Sequence, residues 1–163
     1  MERFKLKKIL FFILLMLQRF HGTREGDMIV DDDLGLMGFT GEDRMWQANN
    51  DGETVIDYFI DDPIQEYEGA DLAGNITKAM EQLEQKVCCL KLNQLKEKPH
   101  DLYSREMIWF QLGEKGSGCY SAVGRKKNRP TIVNLDPSSS VSNCFSLTTI
   151  KHEAIHSLGK GSL

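Results

Sequence analysis

The clearest pattern along the chain is an apolar stripe with helical spacing between residues 71 and 87. Its members recur every three or four positions: Leu72, Ile76, Met80, Leu83 and Val87. Side chains at this spacing lie on one face of an α-helix and face a core. Asp71 can cap the first turn, because its carboxylate can accept a hydrogen bond from a backbone N–H there. We therefore predict a long helix that starts after Asp71.

Four other segments have the composition of β-strands. They are rich in β-branched, aromatic or alternating apolar residues, and Gly, Pro, Asp or Ser near their ends favours turns. The segments are Thr54–Ile60, Leu90–Leu95, residues 106–112 and Thr131–Leu135. A second helix is predicted from about residue 148 to residue 158, where Gly159 is well placed to end it.

The first 22 residues have the pattern of a secretory signal. A basic cluster at residues 3–8 precedes an uninterrupted apolar run from residue 9 to residue 17. This run is too short to span a bilayer, which needs about twenty residues. The alternative is a buried core helix, but such helices rarely begin at Met1 behind a basic cluster. We therefore expect a signal peptide over residues 1–22, a secreted protein and no membrane span.

The segment that follows, residues 23–40, is acidic and contains three consecutive aspartates at positions 31–33. It is predicted to be a short extended leader that lies outside the core. The whole chain has 163 residues and a mass of 18.6 kDa. This length leaves room for one ordinary domain after the leader, over residues 41–163.

The charge of the chain argues against a nucleic-acid partner. The formal net charge is −4 at pH 7, and the first 22 residues hold five of the 20 Lys and Arg but only one of the 24 Asp and Glu. The rest of the chain is therefore more acidic than the whole. Proteins that contact nucleic-acid phosphates need a basic face. We expect protein or peptide partners instead.

The candidate chemistry lies on the second predicted helix, where His152, Glu153 and His156 form an HExxH pattern. Chance predicts only ~0.007 such patterns in a chain of this composition. Residues four apart lie one above the other on a helix, so both imidazoles can hold one Zn²⁺. Glu153 can then take a proton from an activated water. The alternative is a pair of surface histidines on an amphipathic helix.

Other segments extend this pattern. Gly159 completes HExxHxxG, the first part of the longer metzincin signature. Residues 118–125 read GCYSAVGR, and Cys144 stands eight residues before His152. The pair Asp51-Gly52 precedes the sequence Val-Ile-Asp-Tyr at residues 55–58. On these motifs, residues 41–159 resemble the amino-terminal part of an astacin-family zinc metalloendopeptidase, most similar to the hatching-enzyme and meprin-like members.

The resemblance implies an α+β fold, the N-terminal subdomain of a metzincin catalytic domain. This subdomain has a twisted, mostly parallel β-sheet, a long backing helix and an active-site helix. The resemblance also implies zinc as the cofactor and a disulfide between Cys119 and Cys144. Cys88 would pair with a downstream cysteine that this chain lacks, and Cys89 has no family counterpart. We therefore expect that truncation leaves one or two unpaired thiols at Cys88 and Cys89, or that these cysteines form an irregular disulfide bridge.

Two further residues have predicted roles in a secreted enzyme. Residues 25–28 resemble the propeptide motif of the family, in which an aspartate, here Asp27, occupies the open position of zinc and keeps the zymogen inactive. The sequence Asn-Ile-Thr at residues 75–77 makes Asn75 a glycosylation acceptor in a secreted protein. One family position differs in the predicted strand, because Asp57 stands where proline is usual.

The resemblance stops before the zinc site is complete. The third histidine of the family falls at position 162, where this chain has Ser162. Recruitment of His100 from a turn is the alternative. We therefore expect residues 41–163 to be a partial peptidase domain that lacks its C-terminal subdomain and binds zinc more weakly. The predicted function is a secreted, zinc-dependent metalloendopeptidase in incomplete form. The alternative is an inactive secreted fragment, a binding decoy or a mispredicted gene product.

Overall fold

The fold was analysed in a computed structural model, which describes residues 44–68, 71–138 and 143–159 and the backbone of residues 27–29. The predicted signal peptide lies outside these residues, as do most of the leader and Ser162. The described strands are β1 Asp27–Ile29, β2 Thr54–Ile60, β3 Leu90–Leu95, β4 Ile108–Leu112, β5 Tyr120–Ala122 and β6 Thr131–Leu135. The described helices are α1 Asp62–Gln65, α2 Leu72–Lys86 and α3 Leu147–Ser157.

These strands form one mixed sheet with the order β1-β5-β6-β4-β2-β3. Every neighbouring pair in it is parallel except β5 with β6, which is antiparallel. The longest pairing joins β2 to β3, from Thr54 opposite Leu90 to Phe59 opposite Leu95. The predicted α+β fold with a mostly parallel sheet is therefore confirmed.

The main core lies between one face of the sheet and the two long helices. The predicted stripe on α2 is buried along its whole length, from Leu72 at 1% exposure to Val87 at 6%. It packs in one cluster with Ile150 and Ala154 of α3 and with alternate residues of β2 and β4. Alternate residues of a strand point to opposite faces, so Phe59 of β2 lies in a second, smaller cluster with Trp109.

A capping side chain sets the position at which each of the two predicted helices begins. The side chain of Asp71 accepts a hydrogen bond from the backbone N–H of Gly74 at 2.9 Å, and α2 begins at the next residue, as predicted. The second predicted helix, α3, begins one residue earlier than expected because Ser146 caps it. In both helices, a short polar side chain before the first turn decides where the helix starts.

Three short elements and one strand end differ from the predictions. α1 and β5 were not predicted, because they have four and three residues and are too short to show a period. β4 begins at Ile108 rather than at 106, and Glu106 instead pairs with Arg125 at 2.7 Å. The leader was expected to lie outside the core, but its residues Asp27–Ile29 pair with β5 as an edge strand.

Asp57, the residue that replaces the family proline, is compatible with its strand. β2 pairs with β3 on one side and with β4 on the other. The side chain of Asp57 lies 2.6 Å from the guanidinium of Arg105 and 3.5 Å from the amide of Asn93. A partly buried carboxylate is thus paired with a cation and stabilised in this position.

Candidate active site

The helix α3 carries the HExxH pattern and has a defined cap at each end. The hydroxyl of Ser146 accepts a hydrogen bond from the backbone N–H of Thr149 at 3.1 Å. At the other end, Gly159 has a φ of 108°, and its N–H donates to the carbonyl of His156 at 2.8 Å. A positive φ favours glycine, so this residue turns the chain directly after the helix.

The two histidines of the pattern face each other on α3. Their rings are perpendicular, with an interplanar angle of 90° and centroids 4.5 Å apart. The Nε2 atoms of His152 and His156 are 2.9 Å apart. His156 is only 4% exposed, whereas His152 is half-buried. The pair therefore presents two ring nitrogens at one point of the helix surface.

This pair fits two ligand positions of a zinc ion. Zinc binds imidazole nitrogen at about 2.0–2.1 Å, so two nitrogens in a tetrahedral site lie about 3.3 Å apart. A separation of 2.9 Å needs only a small ring movement to reach that geometry. Within residues 44–68, 71–138 and 143–159, no group of three or more potential metal ligands is found. The exposed His100 is accordingly not brought to the histidine pair.

Glu153 lies between the two histidines in sequence and is fully buried, with 0% exposure. Within the described part of the chain, neither of its carboxyl oxygens has a hydrogen-bond partner. Burial raises the pKa of Glu153 to about 8, because a charged carboxylate is poorly solvated there. Buried polar groups are nearly always hydrogen-bonded, so an unpartnered buried carboxyl calls for an explanation, such as a bound ion or a catalytic role.

Three long-range contacts hold the N-terminal half of α3. A disulfide joins Cys119, just before β5, to Cys144, just before α3, with their Cα atoms 5.5 Å apart. This is the pairing that the family resemblance implies. The amide of Asn75 in α2 donates to the carbonyl of Phe145 at 3.3 Å, and Lys151 donates to Gln82 at 3.0 Å. The predicted glycosylation residue, Asn75, is thus half-buried against the start of the active-site helix.

A second set of contacts holds the C-terminal end of α3. The N–H of Gly124 donates to the carbonyl of His156 at 2.9 Å, and the indole N–H of Trp46 donates to the carbonyl of Ser157 at 2.9 Å. The N–H of Arg125 donates to the carbonyl of Arg44 at 2.8 Å. These bonds join residues 44–46, residues 124–125 and the helix end, and we call this arrangement the helix clamp.

Trp46 was not predicted as a functional residue. It is 111 positions from Ser157, and no local pattern connects two residues at that separation. Ser146 could have been found from the preference of serine for the position before a helix. Gly124 belongs to the GCYSAVGR motif, but its hydrogen bond to the active-site helix becomes visible only in the fold.

The remaining predicted residues lie away from the histidine pair or have no described side chain. Asp27 is in β1, opposite Tyr120 of β5 in the sheet register. Its predicted role in covering zinc stays a prediction. Cys88 and Cys89 lie in the exposed turn between α2 and β3, with their sulfur atoms 3.0 Å apart. Within the described residues, no helix has both the length and the apolar character needed to cross a bilayer.

Comparison with known proteins places this arrangement in a family. No curated protein gives a significant match. Among solved structures, the chain resembles high choriolytic enzyme 1, a hatching enzyme zinc-protease from Oryzias latipes (medaka fish), with a TM-score of 0.55 and 24% identity. The match covers 76% of this chain and 52% of the other, so this chain spans about half the length of that enzyme. The profile of the astacin peptidase family matches residues 40–160. The chain therefore belongs to the astacin family of peptidases.

Proposed function

We propose that this chain acts as a zinc-dependent metalloendopeptidase that hydrolyses peptide bonds in protein or peptide substrates. One observation carries the proposal: two imidazole nitrogens 2.9 Å apart on a helix that also holds a buried carboxyl without a described hydrogen-bond partner. The family and its zinc-protease relative support the same reaction class. The cofactor of the proposed enzyme is zinc.

His152 and His156 would hold the zinc through their Nε2 atoms. Zinc, when bound, supplies a Lewis acid that makes water a better nucleophile and polarises a peptide carbonyl. The helix clamp fixes the backbone of His156, and the half-buried His152 keeps one side of the pair open to a substrate. Fixed ligands in the correct geometry are a requirement of metal sites.

Glu153 is the general base of the proposed reaction. Its carboxyl oxygens accept the proton that the attacking water loses, and the same oxygens deliver it to the amine that leaves. A general base must hold and release a proton near the working pH. Burial of Glu153 favours its protonated form, and a nearby cation favours its ionised form, so the two effects oppose each other at this site.

The proposed enzyme is secreted and has an inhibitory propeptide. Residues 1–22 would direct secretion, and the leader would keep the enzyme inactive through Asp27. The pairing of β1 with β5 supports the second part, because it ties the leader to the sheet that contacts the active-site helix. Asp27→Ala should raise the cleavage rate of a chain that retains its leader. An unchanged rate would contradict this inhibitory role of Asp27.

A second candidate function is a non-catalytic binding protein. It is favoured by one observation, that the described residues contain no group of three potential metal ligands. Catalytic zinc sites have three protein ligands, and a site with two would hold the metal weakly. This candidate predicts a folded chain that binds peptides without cleaving them.

The two functions are separated by a cleavage assay on the purified chain. Casein is incubated with the chain and added zinc, with and without a chelator, and in parallel with the variant Glu153→Gln. The proposed function predicts cleavage that the chelator and this substitution each abolish. Glu114→Gln, which changes an exposed loop carboxylate, is the matched control and should retain full activity. Absence of cleavage by a folded, zinc-loaded chain would favour the binding protein.

A further inference from the structure

The C-terminal end of α3 has carbonyl groups that the helix itself cannot pair. The last four backbone carbonyls of an α-helix have no N–H partner in a following turn, so they need other donors. In α3 these carbonyls include those of His156 and Ser157. Ser157 is fully buried, with 0% exposure, so its carbonyl is shielded from water. The order of the helix end therefore depends on donors from other parts of the chain.

The donors to these two carbonyls differ in kind. The carbonyl of His156 accepts from the backbone N–H groups of Gly124 at 2.9 Å and Gly159 at 2.8 Å. The carbonyl of Ser157 accepts from the indole N–H of Trp46 at 2.9 Å. Every residue except proline has a backbone N–H, whereas tryptophan alone has an indole N–H. Among these described contacts, the bond to Ser157 is thus the one that depends on the identity of a side chain.

Trp46 is itself held in place by its surroundings. Its half-buried ring packs against the main core cluster. Earlier in the same segment, the carbonyl of Arg44 accepts from the N–H of Arg125 at 2.8 Å. Residues 44–46 are therefore attached both to the loop after β5 and to the end of α3. A donor that is already fixed loses little side-chain entropy when it forms a hydrogen bond, so the bond can hold the Ser157 carbonyl firmly.

We propose that Trp46 is a positioning residue for the pair His152 and His156, an inference that rests on the proposed function. Its indole N–H holds the carbonyl of Ser157, the residue directly after His156, and so limits fraying of the last helical turn. Metal ligands must be held close to the productive geometry by the groups around them. Without the indole N–H, the buried carbonyl loses its donor and the helix end shifts towards another one. Metal binding must then restore the position of His156, at a cost in affinity.

Two matched substitutions separate this role from a general effect of losing an indole. Trp46→Phe keeps an aromatic ring next to the core and removes the N–H. Trp109→Phe makes the same chemical change in the second cluster, on the other face of the sheet. The indole N–H of Trp109 is buried and has no hydrogen-bond partner within the described residues, so its removal breaks no such bond. Trp109→Phe is therefore the control.

Titration of the purified chain with Co²⁺ measures both the affinity and the geometry of the histidine pair. Co²⁺ can replace zinc in tetrahedral sites, and its visible absorption depends on the arrangement of its ligands. We expect Trp46→Phe to weaken Co²⁺ binding by about 2–10-fold, the equivalent of one net hydrogen bond, and Trp109→Phe to leave it unchanged. At saturation, Trp46→Phe should also change the intensity of the cobalt absorption.

The cobalt spectrum distinguishes positioning from a merely structural role. A structural contact alone would make Trp46→Phe easier to unfold in urea, but the folded, saturated variant would have the spectrum of the unsubstituted chain. That result, or equal affinities in Trp46→Phe and the unsubstituted chain, would overturn the proposal. A loss of affinity of the same size in Trp109→Phe would overturn it as well, because that indole holds no part of α3.

Hydrogen exchange of the metal-free chain tests the helix end without any bound ion. The N–H groups of Leu158 and Gly159 donate to carbonyls of α3 at 3.0 and 2.8 Å, so their exchange rates report opening of the last turn. Trp46→Phe should accelerate both rates by about 2–10-fold, and Trp109→Phe neither. Unchanged rates in Trp46→Phe would contradict the role of Trp46. Failure of the unsubstituted chain to bind Co²⁺ would instead contradict the proposed function, so the two failures are distinguishable.

Discussion

The three side chains of the candidate site differ in how far they are exposed to solvent. The His152 ring is half-buried, its partner His156 is nearly covered, and Glu153 is fully buried. An uncompensated buried carboxyl costs about 1–3 kcal/mol in mutational studies. Such a cost calls for an explanation, and the proposed role of Glu153 as general base accounts for it.

Replacement of one histidine should decide whether the pair holds zinc. Removal of an outer hydrogen-bond partner alone costs about 10–100-fold in metal affinity, so loss of a direct ligand should cost more. We expect His152→Ala to weaken zinc binding by more than about 100-fold without unfolding the chain, because His152 is half-buried. His100→Ala, at an exposed turn, should leave the affinity unchanged. Competition with a chromophoric chelator measures both. Equal affinities in the two variants would contradict the assignment of His152.

The hydrogen bonds of a single carboxylate, Asp136, predict that the fold is sensitive to acid. The hydroxyl of Ser138 donates to Asp136 at 2.7 Å, and the N–H groups of Gly118, Ser138 and Gly116 donate as well. These bonds lower the pKa of Asp136 from 3.8 to about 2, with the Ser138 hydroxyl bond as the largest cause. A lowered pKa stabilises the fold above the unfolded-state value and loses that effect as the pH falls towards the folded-state value.

Asp136→Asn should therefore lower the free energy of unfolding near neutral pH and reduce its decline between about pH 4 and pH 2. Urea unfolding across this pH range measures the effect. Asp51→Asn changes an exposed turn aspartate and is the matched control, because it should leave the acid dependence as it is. If the unsubstituted chain and Asp136→Asn lose stability in parallel as the pH falls, the hydrogen bonds to Asp136 have no such role.

At the level of elements, the active-site helix depends on partners that are distant in the sequence. Residues 44–46 hold its C-terminal end, and the disulfide between Cys119 and Cys144 holds its N-terminal end. Gly124 is central to the helix clamp because its backbone lies against both the active-site helix and Arg44. It donates to His156, and a Cβ at this position would collide with the carbonyl of Arg44.

Gly124→Ala should therefore destabilise the protein more than an alanine at another left-handed glycine. Gly124 has a φ of 67° and Gly116 a φ of 89°, but a Cβ at Gly116 meets nothing within 4 Å. A left-handed conformation costs an L-residue about 1–2 kcal/mol. Gly116→Ala should show only this cost, and Gly124→Ala should exceed it by about 1 kcal/mol or more. Denaturant unfolding measures the difference. Equal losses in the two variants would mean that Arg44 moves away freely.

The elements also show how far local sequence patterns predict the structure. The bounds of α2, β2, β3 and β6 were predicted because each element has its own period and its own end signals. β5 and α1 were not, since elements of three or four residues are stabilised by their neighbours rather than by a pattern of their own. The histidine pair followed from helical spacing alone. The helix clamp could not be predicted, because it joins residues 32, 81 or 111 positions apart that only the fold brings together.

At the level of the whole molecule, the sheet and the active-site helix form one core, and a covalent bond crosses between them. Cys119 and Cys144 belong to the same buried cluster as α2 and the central strands. The bond closes a loop with a sequence separation of 25, which contains β5, β6 and the connection to α3. Restricting that loop in the unfolded chain should stabilise the protein by about 3.5 kcal/mol.

The double substitution Cys119→Ala and Cys144→Ala should therefore remove a large share of the stability, since a domain of this size is usually stable by about 5–15 kcal/mol. We expect the free energy of unfolding to fall by about 3.5 kcal/mol, measured by urea unfolding under conditions where Cys88 and Cys89 are reduced. Cys88→Ala removes an exposed thiol and should change stability by less than about 0.5 kcal/mol. If both proteins unfold at the same urea concentration, hydrophobic packing and hydrogen bonds hold α3 without help from the disulfide. In that case the disulfide adds nothing to the placement of the histidine pair.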